Sequence, residues 1–400
     1  MNRKIPLGLT IALMAIAAAI TFIISTSYSM NIYNNLVADV QQRAEMYTKL
    51  EQIDAYVRAY YDGTIDEDKL IEALANGYIS IIEDAEARYM TAQQYALYRE
   101  HLSGTHLGIG VYTIPDGGYP TVSEVVANSP AATAGITVGE SIIEINGQSA
   151  LDIGYAEAVE MLRSPAGTQL TLTIRSGGVD RTAVVSTIQM NVGTVRTAVY
   201  NGVGYIEIIT FNEKTYQQFM AAYSSLTSQD ISGLIIDLRN NGGELFDSAV
   251  NVLGAILPID ATVAVNIGRD GTESVYETAS GARVPQVPIC VIVNSRTSGP
   301  AELFAAAMRD HFSAPIVGMS TSGNGSFFES YPLYDGTAIV LPISTLRSFA
   351  TEFDGAGIKP DYEVPVAFDD TDEELRAMDE TTDTALRRAI EIVTSQAPAE

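Results

Sequence analysis

Hydrophobic and polar positions fall into four successive patterns along this chain. The first is residues 5–24, an uncharged and mostly apolar run. At about 1.5 Å per residue it is long enough to cross a hydrocarbon core of roughly 30 Å. Asn2-Arg3-Lys4 ahead of it predicts that the N-terminus stays in the cytoplasm. A cleaved signal peptide is the rival reading, with Ser25-Thr-Ser-Tyr-Ser29 as the small-residue stretch, but its apolar region would span only about 7–15 residues. An uncleaved anchor is the favoured expectation, and both readings place the bulk of the chain outside the cytoplasm.

The second pattern is helical. Leu36, Val37, Val40, Met46, Leu50, Ile53 and Val57 recur at helical spacing over residues 36–61, and Asp62-Gly63 breaks the run. A further helix is predicted over 67–83, with Leu70, Ile71, Leu74, Tyr78 and Ile81 on one face. Thr91, behind Arg88-Tyr-Met90, reads as the N-cap of another short helix.

The third pattern is β-rich, with short runs over 108–113, 121–126, 141–145, 169–175 and 181–187 and short helices over 131–134 and 155–162. Turn signals stand at Asp116-Gly-Gly118, Asn146-Gly147 and Ser176-Gly-Gly178. Gly108-Ile-Gly-Val111, Asn128-Ser-Pro-Ala-Ala-Thr-Ala-Gly-Ile136 and Ser141-Ile-Ile-Glu-Ile-Asn-Gly147, in that order, resemble a PDZ domain. Gly108 and Gly110 let the backbone turn so that N–H groups can bind a terminal carboxylate, with Gly108, Ile109, Gly110 and Val111 as the contact loop. A plain strand entry with a bulge is the other reading of that loop.

After Met190 strands alternate with helices. Strands are predicted over 203–209, 233–238 and 287–293, and helices over 216–225, from the Asn241-Gly-Gly243 turn to about residue 257, and over 301–309. This alternation implies a mostly parallel sheet with flanking helices, whose ligands bind beyond the carboxyl ends of the strands, at 239–243 and 294–299. The expected fold is therefore an α/β core with an inserted PDZ-like β-rich domain and an N-terminal transmembrane helix. The segments are 1–30, anchor or signal sequence; 31–104, helical region; 105–188, PDZ-like domain; 189–368, α/β core; and 369–400, an acidic segment with a closing helix over 383–395.

Composition narrows the partners. A net charge of -26 repels phosphate backbones, which argues against nucleic acid. The one cysteine, Cys290, allows no internal disulfide and sits in an apolar strand, where a small buried hydrophobe is the expected role. Nothing in the chain calls for a cofactor or metal.

Tyr89-Met-Thr-Ala92, the PDZ-like module, Val203-Gly-Tyr-Ile-Glu-Ile208, Asp237-Leu-Arg-Asn-Asn-Gly-Gly243, Ala301-Glu-Leu-Phe-Ala-Ala-Ala307, Ile316-Val-Gly318 and Gly357-Ile-Lys-Pro-Asp361 follow one order. That order resembles the C-terminal processing (tail-specific) serine peptidases over about residues 65–366. The resemblance implies an extracytoplasmic endopeptidase that recognises protein C-termini or unfolded polypeptide through the PDZ domain. It also implies cleavage by a Ser/Lys dyad, commonly assisted by a glutamine.

Carried over residue by residue, the resemblance puts Gly299 at the nucleophile position, Asn324 at the base position and Phe328 at the glutamine position. Positions 299 and 324 keep the family's spacing, so the missing groups are not a shift in alignment. Glycine has no attacking oxygen and an asparagine amide is no useful base. The lysines are Lys4, Lys49, Lys69, Lys214 and Lys359, none of them between residues 215 and 358. Gly242 and Gly243 match the glycine turn that would supply an oxyanion N–H. One rescue is open: Ser298 as nucleophile with His106 or His311 as base. Against it, Ser298 before Gly299-Pro300 also suits helix entry. The expected function is a membrane-anchored binder of C-termini without proteolytic activity, self-associating or paired with an active relative; an active endopeptidase using Ser298 is the alternative.

Overall fold

The computed structural model describes residues 21, 40, 42–84, 86–278, 285–365, 375 and 381–396. Apart from Thr21 and Leu375, the expected anchor within 1–30 and the acidic stretch at 369–380 lie outside the described residues. Among the described residues no helix is long and apolar enough to cross a membrane. The chain divides into two compact units, Met1–Ala75 and Asn76–Glu400. In the first, residues 42–60 are helical, and Arg58 donates to Asp54 at 2.8 Å and to Glu67 at 2.6 Å across the Asp62-Gly63 break. The helix starting at Glu67 ends at Ile79 rather than near 83. Glu83 and Asp84 would have placed like charge on the negative end of its dipole.

In the second unit a six-stranded sheet forms the centre. Its spatial order is Val195–Tyr200, Val203–Ile208, Gly233–Asp237, Ile289–Val293, Ile316–Gly318 and Tyr362–Glu363. Every neighbouring pair is parallel except the first, a hairpin. The central strands are buried on both faces, which is why they read as unbroken apolar runs. Ile206, Leu234, Ile236, Val291 and Val293 face the helices Thr215–Thr227, Phe246–Ile256 and Pro300–Phe312. Ile235, Cys290 and Ile292 face the helix Thr384–Gln396 through Leu386, Ala389 and Val393. Cys290 is fully buried, and burial pushes its thiol pKa far up, as expected of a packing residue.

That last helix is tied to the sheet by charge. Arg239, buried, donates to Asp237 at 2.5 Å and to Asp383 at 2.7 Å, and Asp383 accepts the Leu386 N–H at 2.9 Å. A buried trio of this kind tolerates no loss of one member, because the remaining charge would be left unpaired.

A second, antiparallel sheet has no counterpart in the pattern reading. Arg88–Met90, Ala338–Arg347, Thr262–Gly268 and Glu273–Glu277 lie side by side, and Ser326–Pro332 pairs with Ala338–Arg347. Its strands are only partly buried and mix polar with apolar positions, so no clean period marks them. Thr91 caps the helix Ala92–Ser103 in a reciprocal box with Gln94.

The β-rich module is a sheet of Val111–Asp116, Tyr119–Val125, Ser141–Ile145, Gln169–Ser176 and Val179–Ser186 around its own core. Thr105–Gly108 pairs instead with Ile188–Asn191, joining the two ends of the module. The run expected over 108–113 is thus split at Ile109-Gly110. Gly110 has φ of 86°, and a Cβ there would lie 2.1 Å from that of Ser129, so the chain turns where only glycine fits.

Candidate functional site

The carboxyl ends of two central strands are stitched together by asparagine and threonine side chains. Asn294 Oδ1 accepts the Asn240 N–H at 3.0 Å, and Asn294 Nδ2 donates to Asn240 Oδ1 at 2.8 Å. Thr297 Oγ1 donates to the Leu238 carbonyl at 2.8 Å, and the Ser298 N–H to that of Asn241 at 3.0 Å. The Asp237–Gly243 and Asn294–Gly299 turns are therefore one rigid rim, made of side chains whose short reach suits turns.

Gly299 enters the helix Pro300–Phe312 with φ 54° and ψ −120°, a backbone that side chains on Cβ strain to adopt. A sharp strand-to-helix turn of this kind is where a nucleophile is presented in hydrolases. There is space for one: a Cβ on Gly299 would have nothing nearer than the Asn324 carbonyl oxygen at 3.9 Å. Positions 299 and 324 are thus brought together, with no hydroxyl on one and no amine on the other. Asn324 Oδ1 instead accepts the Ser326 N–H at 3.2 Å. Phe328 lies half-buried on Ser326–Pro332, beside the register shift that sets it opposite Pro342.

The residue that organises this place is Glu302, the second residue of the Ala301–Ala307 motif. It is fully buried in the first turn of its helix, where the positive dipole end favours a carboxylate. It accepts from the N–H groups of Gly299 at 3.0 Å, Gly323 at 2.8 Å and Asn324 at 2.9 Å, and from the hydroxyls of Ser322 at 3.1 Å and Thr321. One carboxylate thereby fastens the Gly299 turn to the 321–324 loop, through five donors from two segments.

The remaining expected residues are placed as follows. Gly243 donates its N–H to Asn241 Oδ1 at 2.8 Å, whereas the Gly242 N–H has no acceptor among the described residues. Ser298 is half-buried, and its hydroxyl has no partner among the described residues. His311 Nε2 is 2.7 Å from the Thr262 carbonyl oxygen, its ring against Phe349. His106 is buried in the β-rich module against Tyr112, and its Nδ1 is 3.6 Å from Glu100. Neither histidine meets Ser298. Burial holds the His106 pKa below its ordinary value, with Arg163 acting in the same direction and Glu100 against it.

The second place is a groove between the strand Val111–Asp116 and the helix Tyr155–Leu162, a cavity of about 270 Å³ lined by Val111, Tyr112, Tyr155, Val159, Leu162 and Arg163. Of the four loop residues expected to contact a peptide, Val111 lines it. Ile109 turns its side chain into the module's core and offers only its backbone. The N–H groups of Ile109 and Gly110 have no acceptor among the described residues. Glu100 and His101, from the helix Ala92–Ser103, also border the cavity. No sequence signal marked either one, since the contacts that give them a role come from the fold.

Comparisons with known proteins agree with both places. A profile of peptidase family S41 matches residues 202–364, and one of the PDZ domain matches 121–176. A carboxy-terminal-processing protease of Bartonella bacilliformis is 30% identical over 315 residues, 77% of this chain and 72% of that protein. The carboxy-terminal processing protease CtpA of Bacillus subtilis is 26% identical over 363 residues, 90% of this chain and 77% of that protein. A solved S41 protease structure from Bacteroides fragilis superposes with a TM-score of 0.51 at 18% identity, covering 85% of this chain and 94% of that one, which supports the fold.

Proposed function

Because the chain belongs to the C-terminal processing peptidases of family S41, we propose that it binds protein C-termini in its PDZ groove and does not cleave them. The observation that carries this reading is the empty pairing of Gly299 with Asn324: the turn, the space and the Glu302 fastening are present, and the reacting atoms are not. Acyl transfer needs an oxygen that attacks and a lone pair that takes its proton. Ser298 supplies the first, but its hydroxyl has no hydrogen-bond partner among the described residues that could take its proton. The apolar run at 5–24 supports a reading in which the protein is anchored in a membrane with its bulk extracytoplasmic, holding C-termini or unfolded polypeptide there, as a homo-oligomer or beside an active relative.

Two measurements test the reading. Titration with a short peptide bearing a free C-terminus, against its amide, should show preference for the free carboxylate; equal binding refutes the recognition half. A fluorophosphonate probe followed by intact-mass detection should leave the protein unlabelled. Labelling at Ser298 would establish the active alternative instead.

A further inference from the structure

The groove's guanidinium is already taken. Among the described residues Arg163 is the only lysine or arginine that lines the cavity, and its guanidinium is bound by the Glu100 carboxylate. The other Glu100 oxygen accepts the Leu107 N–H at 2.6 Å, at the residue before the Gly108-Ile-Gly-Val111 loop. Glu100 belongs to a different element, the helix Ala92–Ser103, and its side chain is only 18% exposed. A carboxylate thus sits at the mouth of the groove on one guanidinium and one main-chain N–H, the kind of donor set a peptide's terminal carboxylate seeks. In the loop that follows Leu107, the buried Ile109 and Gly110 N–H groups are left without acceptors among the described residues. Buried donors of this kind call for a partner.

From this we infer that Glu100 is an internal competitor for the terminal carboxylate of an incoming peptide. The inference rests on the PDZ reading above and concerns how that same groove is governed. A peptide carboxylate reaching Ile109 and Gly110 would share Arg163 with a second negative charge in a partly desolvated place, where like charges repel strongly. Full binding therefore requires Glu100 to release Arg163. The apparent affinity is lowered by the fraction of molecules in which it has done so. Ligands that lack a free carboxylate do not contest Arg163, so Glu100 restrains the binding of free C-termini and leaves amide-ended ligands untouched.

The test is calorimetric titration of the full chain and of E100Q and E100D with a short alanine-ended peptide and its C-terminal amide. E100Q removes the competing charge, and E100D keeps it but falls one methylene short of Arg163. Both should bind the free-carboxylate peptide more tightly than wild type, by about tenfold if the bound state of Glu100 outweighs the released one to that degree, with amide binding unchanged. A thermal melt on each variant establishes that it is folded. If wild type prefers the free carboxylate but neither variant gains affinity, or either folded variant loses it, Glu100 supports the site and the inference is overturned. If neither wild type nor the variants distinguish peptide from amide, the PDZ reading itself falls, and the inference with it.

Discussion

The Gly299 turn and the peptide groove lie in the same compact unit and have kept opposite things. At the turn, the supporting structure is complete: five donors converge on Glu302, the Asn294 and Asn240 amides clasp each other, and a side chain would fit on residue 299. The groups that would react are missing. In the groove Arg163 and an apolar lining are present, and the chain's own Glu100 already holds that guanidinium. The difference teaches that the geometry of a site and its chemistry are held by separate residues. A glycine at 299 carries no side-chain oxygen and relieves backbone strain, so the fold has no reason to collapse at the turn.

The strongest way to break the comparison is to put the chemistry back. G299S/N324K/F328Q should cleave an unfolded polypeptide at least about 10³-fold faster than wild type, since removing members of such a catalytic unit costs about that much or more. Loss of fluorescence quenching in a labelled unfolded substrate reads it. No gain would mean that the turn has lost more than its side chains. Next, E302A should cost about 3 kcal/mol of stability or more, because several buried donors lose their acceptor at about 1–3 kcal/mol each. A shift of the urea midpoint at constant m-value measures it, and a cost below about 1 kcal/mol would show that the turn is no longer a maintained scaffold.

The smallest effect sharpens the groove side. His106 has its pKa lowered by burial, so the unfolded chain takes up its proton first. Its contribution is full above the ordinary histidine pKa of about 6.5 and is lost as pH falls from there through the lowered folded value. His101 behaves oppositely. Its hydrogen bond to Glu244 raises its pKa, so its contribution is present in acid and lost as pH rises through the raised value. H106Q should flatten the acid-side loss in a series of melts across this range, and H101Q should not. Identical profiles for H106Q and wild type would remove His106 from the groove's balance.

How much of this was legible varies from element to element. The central strands and the helix entered at Gly299-Pro300 followed from apolar runs and helix-entry residues, and the pairing of 299 with 324 followed from their spacing within the family's order. The antiparallel sheet was not, because half-buried strands carry no clean period. Glu302 was visible as a motif letter but not as a hub, since four of its five donors lie at residues 321–324. Glu100 gave no signal at all: its guanidinium partner is 63 residues away in the chain.

The sequence by itself determined which atoms are available: no hydroxyl at 299, no amine at 324, a cation at 163 and a carboxylate at 100. Composition of that kind is local and survives any arrangement. Only the tertiary structure decided which of these atoms meet. The Glu302 network and the Glu100–Arg163 pair depend on separate segments being packed together, and it is that packing which brings the Glu100 carboxylate onto the Arg163 guanidinium.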